Sequence, residues 1–122
     1  MMHAFEQFNR GEYWHQHETL ETIWRAETDE PIRNFYKGIL QIGVGLHHLT
    51  RRNYDGCVKV LERGVDYLKP FAPQCMGVDV QRLIDEATQV LEKVRGLGTE
   101  RIGEIDLDGL PRIHYEIENT CT

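Results

Sequence analysis

The strongest helical pattern in the chain lies in residues 31–52, PIRNFYKGILQIGVGLHHLTRR. Its apolar side chains recur at the three- and four-residue spacing of an α-helix, and they are Phe35, Ile39, Ile42, Leu46 and Leu49. Leu40 and Val44 widen this apolar face beyond a single stripe. A helix that is apolar on most sides is usually contacted by several neighbours. We therefore expect this segment to form the central helix of a bundle, over about residues 32–52.

Further helices are predicted on both sides of this segment. Apolar periodicity and turn residues indicate three of them, near residues 11–25, 54–69 and 78–96, and a short helical turn around Ala4 to Phe8 could precede them. Pro31 suits a first helical position, with Asp29 or Glu30 near the cap. The predicted fold class is all-α, a compact bundle of about four helices in antiparallel hairpins with an extended C-terminal tail.

The pattern changes after Gly98. Ile105 and Leu107 alternate with polar residues, as do Ile113, Tyr115 and Ile117, around a turn signal at Asp108-Gly109. This alternation allows a small hairpin, although Pro111 weakens its second strand, and an extended tail laid over the helices is the favoured alternative. The predicted organisation is a helical domain at 1–97, followed at 98–122 by an extended tail or small hairpin.

Composition excludes several classes of protein. A chain of 122 residues is one domain by length, and 40% hydrophobic with 28% charged residues is a globular composition. Its 20 carboxylates against 14 Lys and Arg give a net charge of −6, so nucleic-acid binding is not expected. There is no signal-peptide pattern and no apolar run long enough for a membrane, so the expected location is the cytoplasm.

Cys57, Cys75 and Cys121 form no CxxC pair, and Cys57 is expected to pack as a small hydrophobe.

Polar residues on apolar helix faces are the candidates for a site. His17 and Glu21 lie one turn apart on the face of the 11–25 helix that carries Tyr13, so both are expected to be largely buried. The central helix carries a stripe of small and polar side chains: Gly38, Gln41, Gly45 and His48. If the two helices are neighbours, the His, Glu and Gln side chains converge into one buried polar cluster.

Two interpretations of this cluster compete. The first is a hydrogen-bonded network that fixes the helix register, in a binding, interaction or structural module. The second is a pocket for a small molecule or metal, in an enzyme or sensor that uses the His and Glu side chains. No HExxH or similar dense ligand motif is present, so no metal ligands are assigned and the cofactor is unknown. Trp14 and Trp24 are interpreted as core and rim packing. The partner is an unknown small molecule or protein, with a homo-oligomer as an open alternative.

A longer motif contains these residues. Phe8-Asn9-x-Gly11-Glu12-Tyr13-x-x-x-His17-Glu18-x-x-Glu21-x-x-Trp24 resembles the signature of the domain of unknown function 309 family. Its second half is similar to Gly38-Ile39-Leu40-Gln41, then His48, then Arg52-Asn53-Tyr54-x-Gly56, and the resemblance covers about residues 5 to 69. Cys57 departs from the family pattern, where a small alanine is usual.

The resemblance implies a compact all-helical domain of bacteria and archaea with no established activity. Whether the chain is an enzyme is therefore left open. Carried over position by position, the candidate ligand-binding residues are Asn9, His17, Glu18, Glu21, Gln41, His48 and Asn53.

Overall fold

The computed structural model describes residues 2–107 and 109–115, and within them it contains five α-helices. These are α1 (Met2–Asn9), α2 (Tyr13–Ala26), α3 (Glu30–Thr50), α4 (Tyr54–Leu68) and α5 (Val80–Arg101). Two 3₁₀ turns (Lys69–Phe71 and Ile102–Glu104) and a two-stranded antiparallel hairpin, β1 (Gln74–Cys75) with β2 (Val78–Asp79), complete the ordered elements. The all-α class is confirmed, and the turn expected before the four main helices is the full helix α1.

Side-chain caps set where three of the helices begin. The Asp29 carboxylate accepts a hydrogen bond from the Ile32 N–H at 3.0 Å, with Pro31 in the first turn, as the sequence predicts. Asn53 caps α4 in the same way, and Asp79 caps α5. The end of α5 is less well predicted, because the helix continues past residue 96. Gly98 has a φ of 70°, where the chain leaves helical geometry before Arg101.

Helix α3 lies at the centre, between α2 and α4. Phe35, Ile39, Ile42, Leu46 and Leu49 are all fully buried, so its predicted core face is confirmed. The α5 stripe is also buried, and it consists of Val80, Leu83, Ile84, Ala87, Val90, Leu91 and Val94. Cys57 is buried too, and burial raises the pKa of its thiol to about 11, so it packs as a small apolar side chain.

The two glycines of the α3 stripe, Gly38 and Gly45, face α4, whereas Gly43 faces Gln16 on α2. A Cβ at Gly38 would lie 2.7 Å from a Leu68 methyl carbon, and a Cβ at Gly45 would lie 2.7 Å from Leu61 Cγ. Since residues early in α3 meet residues late in α4, the two helices are antiparallel. The close approach that the glycine stripe predicts therefore exists, but α4 is the helix that makes it.

The tail returns to the start of the chain. Ile113 is buried against Asn9, the Asp79 N–H bonds to the His114 carbonyl at 2.8 Å, and Tyr115 forms a single antiparallel bridge with Val78. Asp108, at the turn of the alternative hairpin, lies outside the described residues, as do Ile117 and Cys121. The division of the chain near residue 98 stays a prediction.

Candidate functional site

A cleft opens between α2 and α3, with a volume of about 200 Å³. It is lined by His17, Glu21, Trp24, Lys37, Leu40 and Gln41. The two helices are antiparallel, because Trp24 near the end of α2 lies beside Lys37 near the start of α3. Three of the predicted site residues, His17, Glu21 and Gln41, therefore line the same cleft.

The predicted burial of these side chains is only partly correct. The Glu21 side chain is 40% exposed, and its carboxylate lies 3.6 Å from the Arg25 guanidinium one turn later. An exposed carboxylate with a neighbouring cation needs no buried donor, so the argument for a fully buried network fails at Glu21. His17 is half-buried, but its Nδ1 atom is enclosed and has no hydrogen-bond partner among the described residues.

His48 does not join this cleft. Its ring packs on the start of α4, where Nδ1 lies 3.3 Å from Asn53 Nδ2 and where a Cβ at Gly56 would lie 2.8 Å from His48 Cγ. Gln41 and His48 share a face of α3, but seven residues separate them by roughly 10 Å along the axis. The expected convergence of His48 with His17 is therefore wrong.

The other candidate residues have separate roles. The side chain of Asn9 bonds the backbone of Ile113 in the tail, and Asn53 caps α4 through the Gly56 N–H. Glu18 is exposed and lies 3.9 Å from His15. The motif residues thus divide into those that hold the fold together and those that line the cleft.

Two cations that the sequence analysis did not single out pack on Trp24, the aromatic residue of the cleft, and of the two Lys37 lines the cleft itself. The Arg33 guanidinium lies 4.9 Å from the centre of the Trp24 ring. Lys37 Nζ lies 5.9 Å from that ring and 5.0 Å from the ring of Tyr67 on α4. Neither cation has a carboxylate within salt-bridge distance among the described residues, and Arg33 Nε is enclosed without a hydrogen-bond acceptor. Their spacing of four residues, opposite a tryptophan, is the signal in the sequence.

An exposed aromatic ring lies one turn before the cleft. Trp14 is 55% exposed, so it does not pack in the core. Its ring centre lies 5.5 Å from that of His17 and 5.7 Å from that of His47. Burial lowers the pKa of His47, and the nearby charges of Arg51, His48 and His17 lower it further.

The described residues bring no three His, Cys, Asp or Glu side chains together as a metal would require. Nor does any helix in that part of the chain combine the length and apolarity needed to cross a bilayer. The cleft is therefore a recess of hydrogen-bonding and cationic groups against an aromatic wall.

The fold and this recess define a class: a helical-hairpin domain with a polar surface cleft. The particular family follows from comparison with known proteins. Residues 1–60 match the model of the family described as "Domain of unknown function (DUF309)". The matched region contains α1, α2, α3 and every residue that lines the cleft.

Two relatives extend the likeness without adding a function. An uncharacterized protein of Aquifex aeolicus (strain VF5) is 25% identical over 112 residues, which are 92% of this chain and 30% of that protein. The uncharacterized protein YpuF of Bacillus subtilis (strain 168) is 26% identical over 85 residues, 68% of this chain and 49% of that protein. The chain thus spans less than half the length of either relative.

Proposed function

We propose that this domain is a protein-binding module whose α2–α3 cleft takes an acidic side chain from a partner segment. One observation carries the proposal: Arg33 and Lys37 stack on Trp24 without a carboxylate partner among the described residues. In a chain of net charge −6, two cations left without such a partner at one recess favour a ligand that supplies the carboxylate.

The size of the cleft supports a side chain rather than a metabolite. Pockets for small molecules usually enclose about 300–1,000 Å³. The cleft has about 200 Å³, which suits one side chain of a larger partner. Exposed Trp14 lies beside His17 at the mouth, and tryptophan is among the residues that most often dominate the energy of protein interfaces.

Each group in or beside the cleft then has a role in binding. Lys37 and Arg33 supply charge-assisted hydrogen bonds to the incoming carboxylate. His17 and Gln41 supply further polar contacts, while Leu40 and Trp24 pack against the aliphatic stem. The Arg25 guanidinium neutralises Glu21, which would otherwise repel an anion.

Fluorescence of Trp24 in a Trp14→Phe variant tests this proposal. The probes are peptides with a central Glu between aliphatic residues, and matched peptides with Gln. We expect saturable binding of the Glu peptides only. Lys37→Gln should weaken their affinity about tenfold, because it removes one charge-assisted hydrogen bond. Lys59→Gln, at an exposed position of α4, is the matched control and should leave the affinity unchanged.

Equal binding of Glu and Gln peptides, or none of either, would overturn the proposal. Stabilisation by a small metabolite or a metal ion, without peptide binding, would instead favour an enzyme or sensor built on His17 and Glu21.

A further inference from the structure

A second and larger recess lies at the opposite end of α2 from Trp24. It occupies about 350 Å³ between the α1–α2 loop and the tail, and we call it the elbow cavity. It is lined by Asn9, Arg10, Gly11, Tyr13, Thr50, Leu107, Gly109, Leu110, Pro111 and Arg112. None of these residues lines the α2–α3 cleft.

Tyr13, the first residue of α2, lines this cavity, and the helix begins there without a side-chain cap. Glu12 at the N-cap position makes no side-chain hydrogen bond to the helix, and the first turn contains no acidic residue. The first N–H groups of a helix have no partners within the helix, and the helix dipole makes this end attractive to anions.

Tyr13 is a second, independent indication of a ligand. Only 5% of this residue is exposed, it lines the cavity, and its hydroxyl has no hydrogen-bond partner among the described residues. The hydroxyl oxygen is not among the fully enclosed atoms of the described residues, so an occupant of the cavity can reach it and accept a hydrogen bond from it. Burial raises the pKa of Tyr13 to about 12, and the nearby charge of Arg112 opposes that shift. The phenol therefore stays protonated at neutral pH and can donate a hydrogen bond.

Two arginines line the cavity, and they differ in how far their charge is compensated among the described residues. Arg112 has no carboxylate partner for its guanidinium among the described residues, and only its backbone N–H is bonded, to Glu86. Arg10 shares its Nε–H with Glu12 at 3.1 Å and keeps its other donors. Asn9 and Thr50 are already engaged, with Ile113 and with the His47 carbonyl.

We propose that the elbow cavity binds a small oxyanion, a phosphate or carboxylate group, between Arg112, Arg10, the Tyr13 hydroxyl and the first N–H groups of α2. The guanidinium groups supply charge and paired donors, the phenol supplies a neutral donor, and the helix end supplies backbone donors. Because family motif residues form one wall and the tail forms the other, the site exists only while the tail is in place.

Amide NMR of the full chain tests the elbow cavity with sodium phosphate and sodium acetate, against sodium chloride at equal ionic strength. We expect saturable shifts at Gly11, Tyr13 and Trp14 that chloride does not produce. A response to phosphate alone identifies a phosphoryl ligand, a response to acetate alone identifies a carboxylate ligand, and equal responses identify a site that takes either oxyanion.

Variants separate this site from the α2–α3 cleft. Arg112→Gln should weaken anion affinity about tenfold, since it removes a charge-assisted hydrogen bond. Tyr13→Phe keeps the ring and its packing on Phe8 and should weaken affinity by a smaller factor. Arg63→Gln, on the exposed surface of α4, should leave the anion affinity unchanged. Shifts no larger than those with chloride, or an affinity unchanged by both Arg112→Gln and Tyr13→Phe, would overturn the proposal.

Discussion

The side-chain amide of Asn9 pairs with the backbone of Ile113 in both directions. Its Nδ2 donates to the Ile113 carbonyl at 2.9 Å, and its Oδ1 accepts from the Ile113 N–H at 2.7 Å. One residue of the family motif thus satisfies a peptide unit that is distant in sequence and buried in the structure. The motif therefore contributes to the attachment of the tail as well as to the cleft.

Asn9→Ala should lower the free energy of unfolding by about 1–3 kcal/mol, because it leaves the buried Ile113 N–H and carbonyl unpaired. Urea denaturation measures the change. Asn34→Ala is the matched control, since Asn34 is half-buried on α3 and makes no hydrogen bond among the described residues. Equal losses in the two variants would show that the Asn9 amide does not hold the tail.

Gln16→Met should raise the free energy of unfolding by about 1–2 kcal/mol. Gln16 is fully buried between α2 and α3, and neither its Oε1 nor its Nε2 atom has a hydrogen-bond partner among the described residues. Methionine conserves the volume and removes the desolvated amide. A loss of stability in thermal or urea unfolding would contradict this prediction and reveal a partner for the amide.

Gly64→Ala and Gly96→Ala should shift stability in opposite directions. A Cβ at Gly64 would lie 2.9 Å from the Ile42 backbone nitrogen, so the α3–α4 contact must open, at a cost of about 1–3 kcal/mol. Gly96 on α5 has open space around it, and alanine there should add about 0.5–1 kcal/mol by helix propensity. Melting temperatures that move in the same direction would contradict the close packing of α3 on α4.

His47 should titrate below its ordinary pKa of 6.5 in the folded protein, because burial and the charges of Arg51, His48 and His17 disfavour its protonated form. The folded state then binds fewer protons than the unfolded state between the two pKa values. The contribution of His47 to stability is therefore complete above pH 6.5 and is lost as the pH falls through the folded pKa.

Imidazole NMR measures this pKa directly. Arg51→Gln should move it upward, and His47→Gln should flatten the pH dependence of unfolding in that range. A His47 pKa at or above 6.5 would contradict the assigned environment.

The sequence predicts the bundle well because helix periodicity and caps are local signals. The broad apolar face of residues 31–52 requires neighbours on several sides, and α2 and α4 supply them. Which neighbour meets which face is not a local property: Gly38 and Gly45 meet α4, whereas Gly43 meets Gln16 on α2.

The site was predicted only in part, for the same reason. A helical wheel gives the direction of a side chain but not its position along the helix axis. It therefore places Gln41 and His48 together, although they lie roughly 10 Å apart along the axis of α3. The Glu21 carboxylate is partly exposed and pairs with Arg25, and a helical wheel that sorts residues by expected burial does not predict this ion pair. Arg33 and Lys37 were missed because their significance depends on Trp24, a residue of the neighbouring helix.

A charge-swap titration tests the binding proposal most directly. The affinities of Glu-centred and Lys-centred peptides are measured by Trp24 fluorescence in the Trp14→Phe background, with and without Lys37→Glu. We expect the Glu peptide to bind more tightly with Lys37 present, and this preference to disappear or reverse in Lys37→Glu, while Lys59→Glu on exposed α4 leaves it intact. An unchanged preference in Lys37→Glu, or an equal change in Lys59→Glu, would contradict the assignment of the α2–α3 cleft as the binding site.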